Sequence, residues 1–344
     1  MSSILGDFHI NIQDDGTWLG VLLFIKNLMP FVLFLLGCIF LYYSSESFID
    51  KSILISQKLN ISSVIIGASV IALGTSLPEL LVSLYSIFMH NTPTDSGSLV
   101  SSSIIIGNIM GSNIANVALV LGFCSFLYKM TFKSDLLKDL VFIFLLGSYV
   151  IFCIYYNVTI NYIHGILLIG VFIYYFYYLI SNNQSSHNSL EIESFSFIKT
   201  FFILLISIIG LSLGTNLVVD NALEIAYLIG ISELNIGFSI VALGTSLPEL
   251  FTSLAAIKRK QYDLLIGNVI GSNILNVIFV LGIASLFTKI SIDNKLIYDI
   301  NLIAIVFTLS HLILLLNYII NKSISKFSSL LLLFIYAYFI FNLF

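Results

Sequence analysis

Long apolar runs alternate along the chain with short polar interruptions, and each run is close to the ~20 residues that a helix needs to cross a bilayer. Ten spans are predicted, at residues 28–49, 61–88, 100–127, 136–156 and 162–180, then 200–225, 231–257, 264–287, 297–319 and 325–344. The main polar interruption, SNNQSSHNSLEIESFS at residues 181–196, divides the chain into halves and is too short to form a domain. Residues 1–20 are polar, carry Asp7, Asp14 and Asp15, and lack the basic start of a cleavable signal, so a short tail is expected there. Breakers at Asn91, Pro93, Asp95 and Gly97 mark a loop between the second and third spans. The expected organisation is an entry segment 1–27, a first five-helix unit 28–180, a linker 181–196 and a second five-helix unit 197–344.

Polar residues inside the spans follow a second pattern. The nonamer ALGTSLPEL occurs at residues 72–80 and again 170 residues later (249 − 79). Each copy buries a glutamate, Glu79 or Glu249, in an apolar span. A carboxylate at that depth costs several kcal/mol unless it has partners or water, so both are candidate functional groups. On a helix, Thr75 and Ser76 share the face of Glu79, and Thr245 and Ser246 share that of Glu249. Pro78 and Pro248 lack an amide hydrogen and disrupt the turn before them. The Gly74 carbonyl is therefore expected to lose its helical partner, and the neighbouring carbonyls of Ala72 and Leu73 to turn outward beside the acid, with Ala242 repeating the arrangement in the second half. Irregular backbone at membrane depth is tolerated where it lines a cavity, and transporters place cation sites there. The same residues also suit plain close packing and a kink.

A second motif is duplicated independently. IGNIMGSNIANVALVLG at 106–122 and IGNVIGSNILNVIFVLG at 266–282 agree at 12 of 17 positions. Asn108, Ser112 and Asn116 recur every four residues, as do Asn268, Ser272 and Asn276, which gives each helix a polar stripe. Gly107 with Gly111, and Gly267 with Gly271, form GxxxG pairs that admit another backbone. Stripe and glycine face together can bring amide oxygens to the glutamates; hydrogen bonding between helices is the other use of such Asn and Ser residues.

Composition narrows the class. Charged residues make up 9% against a usual ~25% in soluble proteins, hydrophobic residues 58%, and mean hydropathy is +1.05. The chain is an all-α polytopic membrane protein with no room for a folded soluble domain. Net charge is −4, and Lys258, Arg259 and Lys260 form the only basic cluster, so nothing points to nucleic acid; the trio reads as a cytoplasmic anchor. Cys38, Cys124 and Cys153 lack metal-ligand spacing and read as packing residues. The five histidines, His9, His90, His164, His187 and His311, are scattered and read as structural or interfacial. Asp50 and Asp220 fall in register between the halves and read as interfacial acids in water, with attraction of cations as the alternative.

Five spans per half is an odd number, so the halves insert with opposite orientation, an inverted repeat with its site at mid-membrane. With the N-terminus outside, 11 of the 14 Lys and Arg fall on the inner side and only Lys26, Lys289 and Lys295 outside. The positive-inside bias therefore puts both termini outside and the linker in the cytoplasm of a multi-pass cell-membrane protein.

The paired GTSLPEL and GSNxxN motifs in this arrangement resemble the cation/calcium exchanger superfamily, specifically its compact prokaryotic sodium/calcium exchangers. The resemblance spans nearly the whole membrane region. It implies that Glu79 and Glu249 are the central ligands of transported Ca²⁺ and Na⁺. Around them it places Thr75, Ser76, Thr245, Ser246, Ser112 and Ser272 with the Ala72 and Ala242 carbonyls, and Asn116 and Asn276 complete the ring. It further implies alternating access in which the first and sixth spans slide against the other eight. Asn276 departs from the family, where that position is often aspartate; two formal negative charges remain, which one Ca²⁺ neutralises and three Na⁺ exceed by one. The large cytoplasmic regulatory domain of animal exchangers is absent. The expectation is an antiporter rather than an enzyme, with no cofactor, no obligate protein partner, and Ca²⁺, Na⁺ and the bilayer as its only partners. Proton-coupled or potassium-dependent exchange on the same fold, and a cation channel, are the alternatives.

Overall fold

In the computed structural model the described residues are 16–89, 95–132, 135–181, 196–228, 244–291 and 297–342, and their regular structure is helical. The helices are α1 (Gly16–Leu59), α2 (Ser63–Ile66), α3 (Ala72–Thr75), α4 (Leu77–Met89), α5 (Asp95–Ala115), α6 (Gly122–Leu127), α7 (Leu137–Tyr155) and α8 (Tyr162–Ser181). After the linker come α9 (Phe197–Leu228), α10 (Leu247–Lys258), α11 (Tyr262–Leu275), α12 (Gly282–Phe287), α13 (Ile297–Asn321) and α14 (Lys326–Asn342). Among the described residues eight helices are long and apolar enough to cross a membrane, and α14 is a shorter apolar helix. Two isolated β-bridges, Thr131 with Ser323 and Ile160 with Ile290, tie connections together at the helix ends.

Several boundaries differ from the sequence reading. α1 starts at Gly16, inside the expected tail, and runs on to Leu59, past the expected end at residue 49. Beyond that point it carries Asp50, which stays 56% exposed as an interfacial acid, and before it Glu46; both are paired, since Arg259 reaches Glu46 at 2.8 Å and Asp50 at 2.5 Å and Lys258 reaches Glu46 at 3.3 Å. The basic trio is thus in part a clasp on α1 rather than a free anchor, and charge compensation lets the helix continue. α5 begins at Asp95, so the expected loop loses Asp95 and Gly97 to the helix, while Asn91 and Pro93 lie outside the described residues. Asp220 is exposed on α9.

The layering follows polarity. The spans Ser102–Leu127 and Tyr262–Phe287, which carry the GSN motifs, are 83% buried in their apolar windows, whereas Asn27–Leu59 is 22% buried. The former pair forms the centre, and α1 and α8 present residues such as Leu35, Phe40, Ile166 and Tyr174 outward, as lipid-facing helices do. Two glycine pairs set the closest approaches. A Cβ on Gly67 would collide with the Leu264 carbonyl, and one on Gly267 with the Val64 carbonyl, so α2 and α11 meet backbone to backbone. α1 and α9 cross in the same way: a Cβ on Gly37 would lie 2.9 Å from the Gly214 carbonyl oxygen, and one on Gly214 3.0 Å from that of Gly37. Cys124 and Cys153 are buried, Cys38 is half-buried, and all three are free thiols in packed surroundings.

Candidate cation site

The two nonamers break their helices at the same place. α3 ends at Thr75, Ser76 adopts φ −84° and ψ 1°, and α4 restarts at Leu77. In the second half Ser246 adopts φ −87° and ψ 0° and α10 starts at Leu247. Each proline therefore occupies the first turn of the new helix, where a missing amide hydrogen costs nothing, and each glutamate follows it in that same turn. The first-turn amides of both helices thus face the acids with the positive end of a helix dipole.

One expectation about the backbone fails. The Ala72 carbonyl does not turn away from its helix but accepts the Ser76 amide at 2.9 Å and the Thr75 hydroxyl at 3.4 Å. Pro78 withholds its donor from residue 74, two positions later, so the turn holding Ala72 stays closed. Ala242 lies outside the described residues.

The side chains gather across the halves. Glu79 and Glu249 are both fully buried and close enough to repel each other. The Ser112 and Thr245 hydroxyls lie beside Glu79 and are turned to one another at 3.0 Å. Their counterparts Ser272 and Thr75 lie beside Glu249, 3.2 Å apart. All four carboxylate oxygens lack a hydrogen-bond partner, and so do the Ser76 and Ser246 hydroxyls and the side-chain carbonyl oxygens of Asn116 and Asn276. Native interiors leave few such atoms unpaired; here these eight are oxygens of two matching motifs, while Ser52, Tyr175, Thr215, Ser253 and Tyr336 hold single unpaired hydroxyls elsewhere. Among the described residues no group of three or more Asp, Glu, His or Cys forms, so the charge at this site comes from the two glutamates alone.

A frame of amides holds this cluster. Asn113 donates to the Asn273 backbone carbonyl at 3.1 Å, and Asn273 returns the bond to the Asn113 carbonyl at 3.0 Å. Asn116 donates to Asn273 Oδ1 and Asn276 to Asn113 Oδ1, each at 3.0 Å. The outer asparagines serve the glutamate helices: Asn108 donates to the Glu79 carbonyl at 2.9 Å, and Asn268 donates to Thr252 and accepts from Thr75, both at 3.2 Å. Asn113 and Asn273 escape the sequence reading because they stand one position off the four-residue stripe.

Two π-helical segments, Asn116–Leu121 and Asn276–Leu281, also have no counterpart in the reading, and each starts on a candidate ligand. A third, Gly67–Ile71, precedes the first nonamer. Such segments recur at functional sites because the widened turn re-aims side chains. No residue spacing announces them. His311, read as structural or interfacial, is buried beside Asn273 in this frame.

Known proteins share this architecture. The family described as sodium/calcium exchanger protein matches residues 29–181 and 199–344. The chain is 38% identical over 263 residues to the membrane protein MJ0091 of Methanocaldococcus jannaschii, covering 76% of this chain and 83% of that one. It is 30% identical over 304 residues to the sodium/calcium exchanger MaX1 of Methanosarcina acetivorans, covering 76% of this chain and 84% of the relative. A solved structure of the sodium-calcium exchanger NCX_Mj, soaked with Na⁺ and Ca²⁺, superposes with a TM-score of 0.74 at 34% identity and covers 92% of this chain and 99% of that one. With most of its length matched in sequence and in structure, the chain belongs to the sodium/calcium exchanger family.

Proposed function

We propose that this protein is a secondary antiporter that exchanges Na⁺ for Ca²⁺ across a membrane by alternating access, with the ions held between its two halves. The observation that carries the reading is the pair of fully buried carboxylates that lie beside hydroxyls only, with no cationic side chain and no well-formed hydrogen bond on any of their four oxygens. Two uncompensated charges in a low-dielectric interior cost several kcal/mol each. A cation between them supplies what the protein withholds. Oxygen-only coordination selects hard ions, and Ca²⁺ accepts six to eight oxygens in flexible geometry. The ligand set is Glu79 and Glu249 with Thr75, Ser76, Ser112, Asn116, Thr245, Ser246, Ser272 and Asn276, and with the Ala72 and Ala242 carbonyls, since an oxygen that accepts a helical amide keeps a second lone pair for an ion. The exchangers MaX1 and NCX_Mj, by the names they carry, act on the same two ions.

The halves are five-helix units of opposite orientation, ten spans in all. The reciprocal bonds between Asn113 and Asn273, and between Ser112 and Thr245 against Ser272 and Thr75, are what a twofold relation between the motifs produces. The charge bias along the sequence puts both termini outside and the linker in the cytoplasm. α1 and α9, crossing on Gly37 and Gly214 outside the buried centre, are the sliding pair.

Coupling follows from charge. An empty site keeps two carboxylates bare and resists crossing, whereas a loaded one is discharged, so one ion leaves only as the other replaces it. Any net charge moved feels about 2.3 kcal/mol per elementary charge per 100 mV. Glu79→Gln should abolish Na⁺-dependent ⁴⁵Ca²⁺ uptake into vesicles, and normal uptake by that variant would end the assignment. Replacing the Na⁺ gradient by a proton or K⁺ gradient in the same vesicles should leave uptake at background.

A further inference from the structure

One imidazole is built into the amide frame on one side only. His311 stacks on Phe307 of the same helix, ring centroids 3.9 Å apart, and its Nδ1 lies 2.9 Å from the Phe307 backbone carbonyl. A carbonyl only accepts, so Nδ1 carries the proton, and in the neutral ring Nε2 is left as an acceptor. That atom faces Asn273 Nδ2 at 3.2 Å. The same amide nitrogen donates to the Asn113 carbonyl, which fixes which end of the Asn273 amide is nitrogen. Both hydrogens of that NH₂ are then assigned, one to Asn113 and one to His311. The other end, Asn273 Oδ1, must accept, and it takes the Asn116 amide at 3.0 Å. Asn116 thereby keeps its own Oδ1 out of that bond, buried and without a partner, as the carboxylate oxygens of Glu79 and Glu249 are. Asn113, the counterpart of Asn273, donates to a backbone carbonyl but has no imidazole beside it among the described residues.

We infer that His311 is a positioning residue for cation binding: by taking the second hydrogen of the Asn273 amide, whose first goes to the Asn113 carbonyl, it strengthens the hold that keeps Asn116 with its carbonyl oxygen rather than its NH₂ toward the ions. An asparagine reversed at this place would present two N–H donors to a cation, so orientation matters more than presence. The inference rests on the exchanger reading of the site and adds a residue that touches no ion. It also explains why a polar ring sits deep in a helix that contributes no ligand, since the Phe307 stack and carbonyl hold the ring and Asn273 uses it.

The test is a set of three substitutions in the full-length protein in proteoliposomes. His311→Phe keeps volume and stack but offers no acceptor, and His311→Leu is a second apolar replacement. His311→Gln can donate to the Phe307 carbonyl and accept from Asn273. The expected result for the apolar variants is a KM for Ca²⁺ raised about tenfold in Na⁺-driven ⁴⁵Ca²⁺ uptake, the size expected for one unsatisfied buried donor, with the maximal rate within about twofold. His311→Gln should return KM to within about twofold of wild type. In an Asn116→Ala background His311→Phe should change KM no further, because its route runs through Asn116. Unchanged KM in the apolar variants, a Gln variant as impaired as Phe, or apolar variants that do not fold would each assign His311 to packing and overturn the inference. A wild-type protein without Na⁺-driven uptake would overturn the exchanger reading itself, which separates the two failures.

Discussion

Replacing Glu249 by Gln sets stability against binding. In the wild type without cations, Glu79 and Glu249 are fully buried, lack hydrogen-bond partners and face each other. At ~4–6 Å and an effective dielectric of ~20, two unit charges repel by about 3–4 kcal/mol. Protonation and local relaxation relieve part of this, so a gain of about 1–3 kcal/mol remains for a variant that removes one charge. Gln has nearly the same shape, and its amide can both donate to and accept from the Thr75 and Ser272 hydroxyls beside it. Cation-free E249Q should therefore melt several degrees above wild type, at roughly 2–4 °C per kcal/mol. Ca²⁺ reverses the order. Wild type gains about 2.7 kcal/mol at a hundred times its Kd. The variant lacks one partner of a buried charge pair, a loss of about 3–5 kcal/mol or a factor of about 10² to 4 × 10³, and gains almost nothing at the same concentration. The assay is thermal unfolding of detergent-purified protein followed with a thiol-reactive dye, since Cys124 and Cys153 are buried and free until the core opens. A cation-free E249Q that melts below wild type, or one stabilised by Ca²⁺ as much as wild type, would refute the reasoning.

Two further substitutions probe the charge arrangement. Asn276→Asp adds a third carboxylate and removes the donor to Asn113, so the site can take one more Na⁺ for each Ca²⁺ exchanged; the charge moved per cycle on a supported membrane should then change by about one elementary charge, and an unchanged current would place residue 276 outside the site. Arg259→Ala breaks the pairs to Glu46 and Asp50, in which the Arg259 and Glu46 side chains are each 18% exposed, and should lower stability by about 1–2 kcal/mol. Lys258→Ala removes a side chain that is 59% exposed and should leave the melting temperature unchanged in the same assay.

Much of the site is legible because the sequence repeats it. Glu79, Thr75, Ser112 and their counterparts stand in two motifs that recur together, and a buried acid in each copy signals a shared ligand whatever the packing. The parts that escape are those that spacing does not encode. Asn113 and Asn273 look like neighbours of the stripe, yet they face the junction of the halves and make its reciprocal bonds. The Glu46–Arg259 pair joins residues 213 apart, and nothing local in either segment announces the other. The Ala72 carbonyl fails for a definite reason, since proline frees the carbonyl four residues back and not the one six back. The π segments that begin at Asn116 and Asn276 depend on how the halves pack, and an ordinary helical stripe is all the sequence displays there.

Net Ca²⁺ movement in proteoliposomes under an imposed Na⁺ gradient tests the central claim most directly. The account predicts that ⁴⁵Ca²⁺ accumulates against its own gradient on the side that Na⁺ leaves, that inverting the Na⁺ gradient inverts the Ca²⁺ flux, and that Glu79→Gln with Glu249→Gln abolishes both. Ca²⁺ that runs only down its own gradient whatever the Na⁺ distribution, or flux that survives the loss of both carboxylates, would contradict it.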